Sequence, residues 1–375
     1  MPVNDSLDLT QLRATLESEG APWDMAYTTM TALTEQERVI RLGVPLPDGD
    51  LDALEADRHV RAAAVRAATA ETVGAPTAFD VRNVGGIDYS TSVKDQRGCG
   101  SCVAFGTVAA MEHVARYTRR APNLALDLSE AHAFYCYGRA DGATCGTGWW
   151  VHRLLPSTQN SGVTFEDYYP YTDVDQNCSN LNADWPNRLA KTTGFANIGG
   201  NAAAMKEYIS TYGSITSCFI VYQDFFSYRS GVYRHLSGGV AGGHCVVLIG
   251  YDDSEGCWIA KNSWGTGWGD GGFFKIAYGE ANIESYPSPA GLEVYGIQGV
   301  ALKTWLPDQQ IIGLWSSEHD ANQWAYGSTR GWLKIDGGNV TTNQAMAAEL
   351  AASKALARPV GLFEDNGSIK QIYAW

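Results

Sequence analysis

The chain has 375 residues and a formal net charge of −14 at pH 7, and 45% of its residues are hydrophobic. This length predicts two to three domains, and the hydrophobic content is sufficient for buried cores. Neither nucleic acid nor an anionic membrane is an expected partner, because phosphate binding depends on clustered Lys and Arg and no basic run is present. No stretch approaches about eighteen consecutive apolar residues, so no membrane-spanning segment is expected.

The first 75 residues are polar and have helical patterns. Helices are predicted over 9–19, 34–42 and 51–72, and the proline- and glycine-containing sequence 45–49 is a predicted break. Residues 1–10 carry acidic and polar side chains and lack the apolar core of a secretory signal peptide.

A cysteine follows a glycine-rich turn at the start of the next predicted helix. The sequence is Gln96-Arg97-Gly98-Cys99-Gly100-Ser101-Cys102, and apolar residues then recur at helical spacing as far as Ala115. Unpaired backbone N–H groups and the positive end of the helix dipole stabilise a thiolate at such a position. Cys102 is therefore a candidate nucleophile, although most free cysteines are inert buried residues.

Two later segments supply the other groups that a nucleophilic thiol requires. His244 precedes the apolar stretch 245–249, and Asn262 lies between the strand-like stretch 258–261 and a loop rich in glycine and tryptophan. Each has an ordinary structural explanation, as a buried core histidine and as part of an aromatic turn. Together with Cys102, however, they provide a nucleophile, a base and an amide that orients the base.

These motifs resemble the papain-like cysteine peptidases. The family's local signature, C-G-[SA]-C-[WY], is matched by Cys99-Gly100-Ser101-Cys102 and departs at Val103, where the family has an aromatic residue. His244 lies within the expected window of about 130–150 residues after the nucleophile, and Asn262 lies slightly beyond it. The resemblance extends from about residue 76 to residue 300.

The resemblance implies a role for each matching residue. Cys102 is the nucleophile, His244 the general acid and base, and Asn262 the orienting amide, with thiol and imidazole resting as an ion pair. Gln96 and the Cys102 backbone N–H are the oxyanion donors. Trp264 shields the hydrogen bond between His244 and Asn262 from water. The implied reaction is peptide hydrolysis through an acyl-enzyme, with no cofactor and no metal.

A substrate cleft is also implied by the resemblance. It would bind an extended peptide through backbone hydrogen bonds and select the second residue before the scissile bond with a pocket. The matching residues are Gly148, Trp149, Trp150, Cys218, Gly242, Gly243 and Tyr286. Because most of these walls are apolar, an apolar or aromatic substrate side chain is expected. An alignment error of one or two residues would remove Cys218 or Tyr286 from the pocket.

The eight cysteines divide, by the same resemblance, into the nucleophile, two disulfides and three further thiols. The implied disulfides are Cys99–Cys145 and Cys136–Cys178, and eight reduced thiols are the alternative. Cys218, Cys245 and Cys257 have no obvious partner and are expected to be buried. Disulfides indicate a secreted protein or another oxidising compartment, although the chain starts without a signal peptide.

The expected fold is α+β. The resemblance implies a papain-like peptidase over residues 76–303, with a helical lobe, a β-barrel lobe and the active site between them. Residues 1–75 are the expected helical prosegment of a zymogen, removed by cleavage near Gly74 or Ala75. A permanent helical accessory is the alternative for this segment.

The resemblance stops near residue 300, and residues 304–375 are predicted to form a small α+β domain. Strands are predicted over 310–315 and 332–335, a helix over 342–357 and a hairpin turn within 363–369. This region contains five tryptophans: Trp305, Trp315, Trp324, Trp332 and Trp375. Exposed tryptophans would indicate a glycan or protein ligand, but a tryptophan core that stabilises so small a domain is the favoured interpretation.

The predicted function is a cysteine endopeptidase, made as a zymogen, whose partners are polypeptide substrates and its own prosegment. Peptide ligation or transpeptidation is an alternative on the same site, because an amine can resolve an acyl-enzyme as well as water can. A catalytically silent binding protein that acts through residues 304–375 is the second alternative. The complete set of Gln96, Cys102, His244 and Asn262 argues against it.

Overall fold

The structure is a computed structural model that describes residues 8–48, 51, 56–71, 75–319 and 322–374. No helix within these ranges is long and apolar enough to cross a membrane. A π-helix spans His132–Gly138. The α-helices are α1 (Leu9–Glu19), α2 (Glu35–Val39), α3 (Arg58–Glu71), α4 (Cys102–Thr118), α5 (Val151–Asn160), α6 (Ala202–Tyr212) and α7 (Val340–Ala355).

The strands are numbered in chain order. Those up to the middle of the chain are β1 (Trp23–Met25), β2 (Ala78–Asp80), β3 (Val163–Thr164), β4 (Leu189–Asn197), β5 (Ile215–Tyr222), β6 (Tyr228–Tyr233), β7 (Val240–Asp252), β8 (Cys257–Lys261) and β9 (Phe273–Ala277). The remainder are β10 (Pro287–Ser288), β11 (Gly291–Leu292), β12 (Val294–Gln309), β13 (Ile311–Ser316), β14 (Gln323–Gly327), β15 (Gly331–Ile335), β16 (Val360–Asp365) and β17 (Ser368–Ala374).

Helix α4 is the central helix of the first lobe. Almost every residue from Cys102 to Tyr117 is buried, and Arg116 is the half-buried exception. A helix that is apolar on all sides belongs inside a protein. It packs against β5, β7 and β12 of the second lobe, so its N-terminus is held at the junction of the two lobes.

The second lobe is built on antiparallel strands β5, β7, β8 and β9, which pair in the order β9-β8-β7-β5-β12. An aromatic cluster packs inside it, with ring centroids about 5–6 Å apart among Phe219, Phe225, Trp268 and Phe274. Such edge-to-face aromatic pairs add to the free energy gained by burial. This cluster fixes the strands that carry His244 and lead into Asn262.

Strand β12 links the peptidase sheet to the C-terminal region. Its first part pairs with β4 and β5, and its last part, from Lys303 onward, pairs with β16. The predicted division between residues 303 and 304 therefore falls inside one continuous strand. The three-domain division of the chain stays a prediction.

The predicted strands over 310–315 and 332–335 and the predicted helix over 342–357 lie within two residues of β13, β15 and α7, and the predicted hairpin turn joins β16 to β17, whereas β14 was not predicted. From β12 the strands follow in the order β16-β17-β15-β14-β13, and α7 packs on one face of this sheet. The core between helix and sheet is aliphatic, and its buried members are Leu333, Ile335, Met346, Leu350, Val360, Leu362 and Ile369.

The prediction of a tryptophan core was wrong. Trp305, Trp315 and Trp332 are 45%, 51% and 48% exposed, respectively. Side chains alternate between the faces of a strand, so Leu333 points to the core and its neighbour Trp332 points to the opposite face. Trp375 lies outside the described residues.

The N-terminal segment packs on the peptidase. Helix α1 has its predicted bounds, whereas α2 ends at Val39 instead of continuing to residue 42. Strand β1 pairs with β6, and Trp23 is buried against Tyr228 and Tyr233. Helix α3 packs on α6. The predicted third helix is interrupted by a turn at Asp57, immediately before α3. Its parts over 52–55 and at 72, and the predicted cleavage point at Gly74, lie outside the described residues.

Candidate active site

Cys102 is the first residue of α4 and is fully buried. The preceding turn is closed by backbone hydrogen bonds from Cys99 to Arg97 and from Ser101 to Cys99, and the Cys99–Cys145 disulfide fixes it to the next loop. No side chain caps the helix at Ser101. The free N–H groups and the helix dipole are therefore available to a thiolate at this position.

The other predicted cysteine states agree with the structure. A second disulfide joins Cys136 to Cys178, and Cys218, Cys245 and Cys257 are free and buried. Cys218 and Cys245 face each other across β5 and β7. Burial raises the pKa of the Cys102 thiol, and the backbone N–H of Cys245 partly opposes this rise. Sequence reasoning missed this influence, although Cys245 directly follows His244 in the chain.

His244 lies on β7, and Asn262 follows the end of β8. The Nε2 atom of His244 lies 2.8 Å from Oδ1 of Asn262, so Nε2 carries a proton that it donates to the amide oxygen. The buried Nδ1 atom has no hydrogen-bond partner among the described residues. Trp264 packs over the imidazole at 4.7 Å between ring centroids, which excludes water from the His244–Asn262 bond.

Gln96 is fully buried beside the start of α4. Its Nε2 donates to the carbonyl oxygens of Cys99, at 2.8 Å, and Arg41, at 2.9 Å. The Ser263 hydroxyl donates to Gln96 Oε1 at 2.7 Å, and this bond decides which way the amide faces. Sequence reasoning missed Ser263, and its only signal was its position next to Asn262.

Residues Arg41–Pro45, here called the strap, lie in the cleft between the lobes. The Val44 N–H donates to the Gly243 carbonyl at 3.1 Å, and the Trp149 N–H donates to the Gly43 carbonyl at 2.8 Å. Burial raises the pKa of the Cys102 thiol, and the nearby Gly43 backbone N–H partly opposes this rise. The strap therefore binds mainly through its backbone.

Two glycines make this close approach possible. A Cβ atom on Gly43 would lie 1.9 Å from the carbonyl oxygen of Gly100. Gly148 has a φ of +67°, and a Cβ atom there would lie 2.2 Å from the carbonyl oxygen of Gly43. Both are backbone contacts, so a larger residue at either position would displace the strap.

Some of the remaining predicted pocket residues contact the strap, and others do not. The Tyr286 hydroxyl donates to the Pro45 carbonyl at 2.8 Å, and Leu42 packs over Gly242. The side chain of Trp149 turns away, because its indole N–H donates to Asp141. Trp150 and Cys218 make no recorded hydrogen bond to the strap among the described residues. The pocket-wall role of these three side chains stays a prediction.

Burial opposes charge on both reacting groups. It raises the pKa of the Cys102 thiol, and it lowers the pKa of His244 to about 4 in spite of the bond to Asn262. With the strap in place, the thiol and the imidazole are therefore both neutral near pH 7. Burial under the strap thus works against the resting ion pair implied by the resemblance, which stays a prediction for the uncovered enzyme.

A buried ionic network lies directly behind the site. Lys261, which precedes Asn262, donates to the carbonyl oxygens of Thr91 and Ser92, and Thr91 in turn donates to Glu112. Burial lowers the pKa of Lys261 to about 8. A water-sized cavity of about 20 Å³ adjoins these groups. Sequence reasoning missed this network, whose signal was a lysine inside a buried strand.

Residues 75–290 match the family described as papain family cysteine protease. The chain belongs to this family. Cathepsin B-like CP3 of Giardia intestinalis is 37% identical over 228 residues, which cover 57% of this chain and 73% of that protein. A gut-specific cysteine proteinase of Caenorhabditis elegans is 28% identical over 315 residues, covering 76% of this chain and 92% of that protein.

A solved structure of proCathepsin B S9 from Trypanosoma congolense has the same fold. Its TM-score is 0.58 at 21% identity, and the match covers 78% of this chain and 98% of that one. The predicted α+β, papain-like fold is confirmed, and so is the prediction of a papain-like cysteine protease.

Proposed function

We propose that this cysteine protease is an endopeptidase that acts through a thiol acyl-enzyme, with the roles that the family assigns to Cys102, His244, Asn262 and Gln96. The observation that carries the proposal is the 2.8 Å contact between His244 Nε2 and Asn262 Oδ1, which leaves the buried Nδ1 free to exchange a proton with the thiol. His244 contacts Asn262, and the helix that begins at Cys102 packs on β7, the strand that carries His244.

The reaction would begin with proton transfer from Cys102 to His244. The thiolate adds to the substrate carbonyl carbon, and the oxyanion accepts from Gln96 Nε2 and the Cys102 backbone N–H. Each donor of this kind contributes about 3 kcal/mol to transition-state stabilisation. His244 then protonates the leaving amine, and water hydrolyses the thioester with the imidazole acting as base.

The strap is the proposed inhibitory part of the prosegment. The Arg41 carbonyl takes the Gln96 donor that a substrate oxyanion needs. Burial raises the pKa of the Cys102 thiol and the Gly43 backbone N–H partly opposes this rise, which supports a donor group, and not an electrophilic carbon, beside the thiol. The strap thus fills the cleft without presenting a bond that Cys102 can attack. We propose that the chain is a zymogen for this reason.

An endopeptidase agrees better than an exopeptidase with the path of the strap. The chain enters the cleft from α2 and leaves it beyond Pro45, so polypeptide extends past the thiol on both sides. Leu42 packs over Gly242, which supports the expected preference for apolar side chains in the pocket. The two disulfides support a secreted protein or another oxidising compartment.

The test uses the full chain and its Cys102→Ala variant at pH 4.5 and pH 7. Both are incubated with a mixed peptide library, and mass spectrometry follows the peptides and the protein's own N-terminus. Cleavage by wild type alone, with loss of the strap, supports the zymogen proposal. Peptides joined instead of hydrolysed would indicate a ligase. Absence of cleavage after removal of residues 1–75 would contradict the proposal.

A further inference from the structure

The C-terminal sheet has one covered face and one open face. Helix α7 covers the inner face, and Trp305, Trp315 and Trp332 project from the outer face. None of these three indole N–H groups makes a hydrogen bond within the described part of the chain. Large exposed aromatic surfaces are uncommon on proteins and indicate binding sites.

A row of polar side chains crosses the outer face from strand to strand. Lys303 on β12 pairs with Asp365 on β16, Asp365 pairs with Ser368 on β17, and Ser368 pairs with Lys334 on β15. At the far end Lys334 faces Trp324 on β14. These four residues, Lys303, Asp365, Ser368 and Lys334, are here called the polar row.

The polar row is available to a ligand. Among the described residues, no side-chain hydrogen bond or ion pair engages Lys303, Asp365 or Lys334. Neighbouring strands lie about 4.8 Å apart, so the four strands of the row span about 14 Å. The strands make it a rigid surface, because their backbones are hydrogen bonded to both neighbours.

Aromatic rings flank the polar row. Trp305 pairs with Phe363 at one end, and Trp332 pairs with Tyr326 at the other, with ring centroids 5.5 Å and 5.3 Å apart. Trp315 follows beyond Trp324 on β13. The outer face thus combines hydrogen-bonding groups along its middle with flat apolar surfaces on its flanks.

A groove of about 590 Å³ continues the row onto the peptidase. Lys303 and Asp365 line it together with Asn366, and Trp185 and Lys191 line its other side. The side chain of Asn366 is also without a hydrogen bond among the described residues. The groove and the outer face form one continuous surface across β4, β12 and β16.

We propose that this surface binds a neutral polysaccharide. Sugar rings have apolar faces that stack on tryptophan and hydroxyl groups that bond to lysine, carboxylate and amide groups, and the surface offers both. The row carries two lysines and one aspartate, which leaves a single net positive charge, and the chain carries −14 overall, so a polyanion is a poor complement. A protein partner would require an apolar centre with a polar rim, whereas this surface has the reverse order.

The first experiment measures co-sedimentation of the full-length Cys102→Ala variant with cellulose, chitin and starch particles. This background prevents self-cleavage and makes the result independent of the proposed peptidase activity. Binding to at least one polysaccharide is expected. A neutral ligand also predicts that affinity changes little between low and high salt, whereas a polyanion predicts a steep loss.

Variants assign the binding to this face. Trp332→Ala and Asp365→Ala should each weaken binding at least about tenfold, which corresponds to about 1.4 kcal/mol. The matched control is Tyr27→Ala, which removes an 81% exposed aromatic side chain from the N-terminal segment and should bind normally. Thermal unfolding of each variant checks that the sheet is folded. Sedimentation with none of the particles, or equal binding by folded Trp332→Ala, would overturn the proposal, as would capture of casein by this face instead.

Discussion

Two segments of the chain lie outside its peptidase region, and they differ in the surface that they leave to solvent. The N-terminal segment covers the cleft with the strap, whose backbone groups from Arg41 to Pro45 make the contacts. The C-terminal segment prolongs β12 into a second sheet and leaves tryptophan rings exposed on one face. One surface is closed by main chain, and the other is left open and defined by side chains.

This difference shows which substitutions each surface should tolerate. Backbone hydrogen bonds do not require a particular side chain, but they need space for close approach, which glycine supplies at Gly43 and Gly148. The outer face of the C-terminal sheet has no such constraint. Its tryptophans contribute little to the core, so they should be dispensable for folding and required for binding.

The largest expected effect is that of replacing Gln96. Its side-chain amide donates to the strap and is the proposed donor to the substrate oxyanion. In the enzyme freed of its prosegment, Gln96→Ala should lower kcat about 100- to 1,000-fold with little change in KM, because the oxyanion forms only in the transition state. Steady-state kinetics on a fluorogenic peptide measures this. Ser263→Ala is the graded control, since it leaves the amide in place but removes the bond that orients it. An unchanged kcat in Gln96→Ala would exclude this residue from the oxyanion site.

Acid should release the strap. The pKa of His244 is about 4 under the strap, and an exposed imidazole has a pKa near about 6.5, so the covered form binds protons less tightly. As pH falls from 6.5 towards 4, protonation therefore favours the uncovered form, by up to about a hundredfold. Above about pH 6.5 neither form is protonated, and no further change is expected.

Hydrogen exchange of the Val44 backbone N–H, corrected for intrinsic rates, measures this release. Protection should decline as pH falls through this window in a Cys102→Ala background. Adding His244→Ala should remove the dependence between pH 6.5 and pH 4.5. If protection in that double variant still declines there, another group controls the strap.

A single methyl group should open the cleft. In Gly43→Ala the new Cβ atom would meet the Gly100 carbonyl oxygen, and such overpacking costs about 1–3 kcal/mol. Labelling of Cys102 by an electrophilic peptide should become about ten- to a hundredfold faster in the full chain. Gly239→Ala is the matched control, because no atom lies within 4 Å of its added Cβ. Equal labelling rates in the two variants would mean that the strap does not limit access.

The smallest expected effect is that of Trp332→Ala on folding stability, and its comparison with Leu333→Ala distinguishes the two faces of the C-terminal sheet. Leu333→Ala removes a fully buried side chain and should lower the free energy of unfolding by about 2–5 kcal/mol. Its neighbour Trp332→Ala should lower it by less than about 1 kcal/mol, because that ring is 48% exposed. Denaturant unfolding of the two variants measures the difference. A larger loss in Trp332→Ala would restore the tryptophan-core interpretation.

The sequence by itself determined the family and the local elements. Three features of the site are local patterns: the turn before Cys102, the position of His244 before a strand and the amide at Asn262. Each could be predicted because capping, periodicity and motif spacing are properties of neighbouring residues. The same holds for α1, β13, β15 and α7, which lie within two residues of their predicted bounds.

Only the tertiary structure decided which surfaces meet. The strap was predicted as the end of a helix and a break. The sequence of residues 41–45 does not show that their backbone groups find hydrogen-bond partners in the cleft. Ser263 and the Lys261 network were missed because their partners, Gln96 and Thr91, lie more than 160 residues away in sequence. The tryptophans were assigned to a core because composition does not specify a face. The face is specified by strand register, which depends on pairing between distant segments.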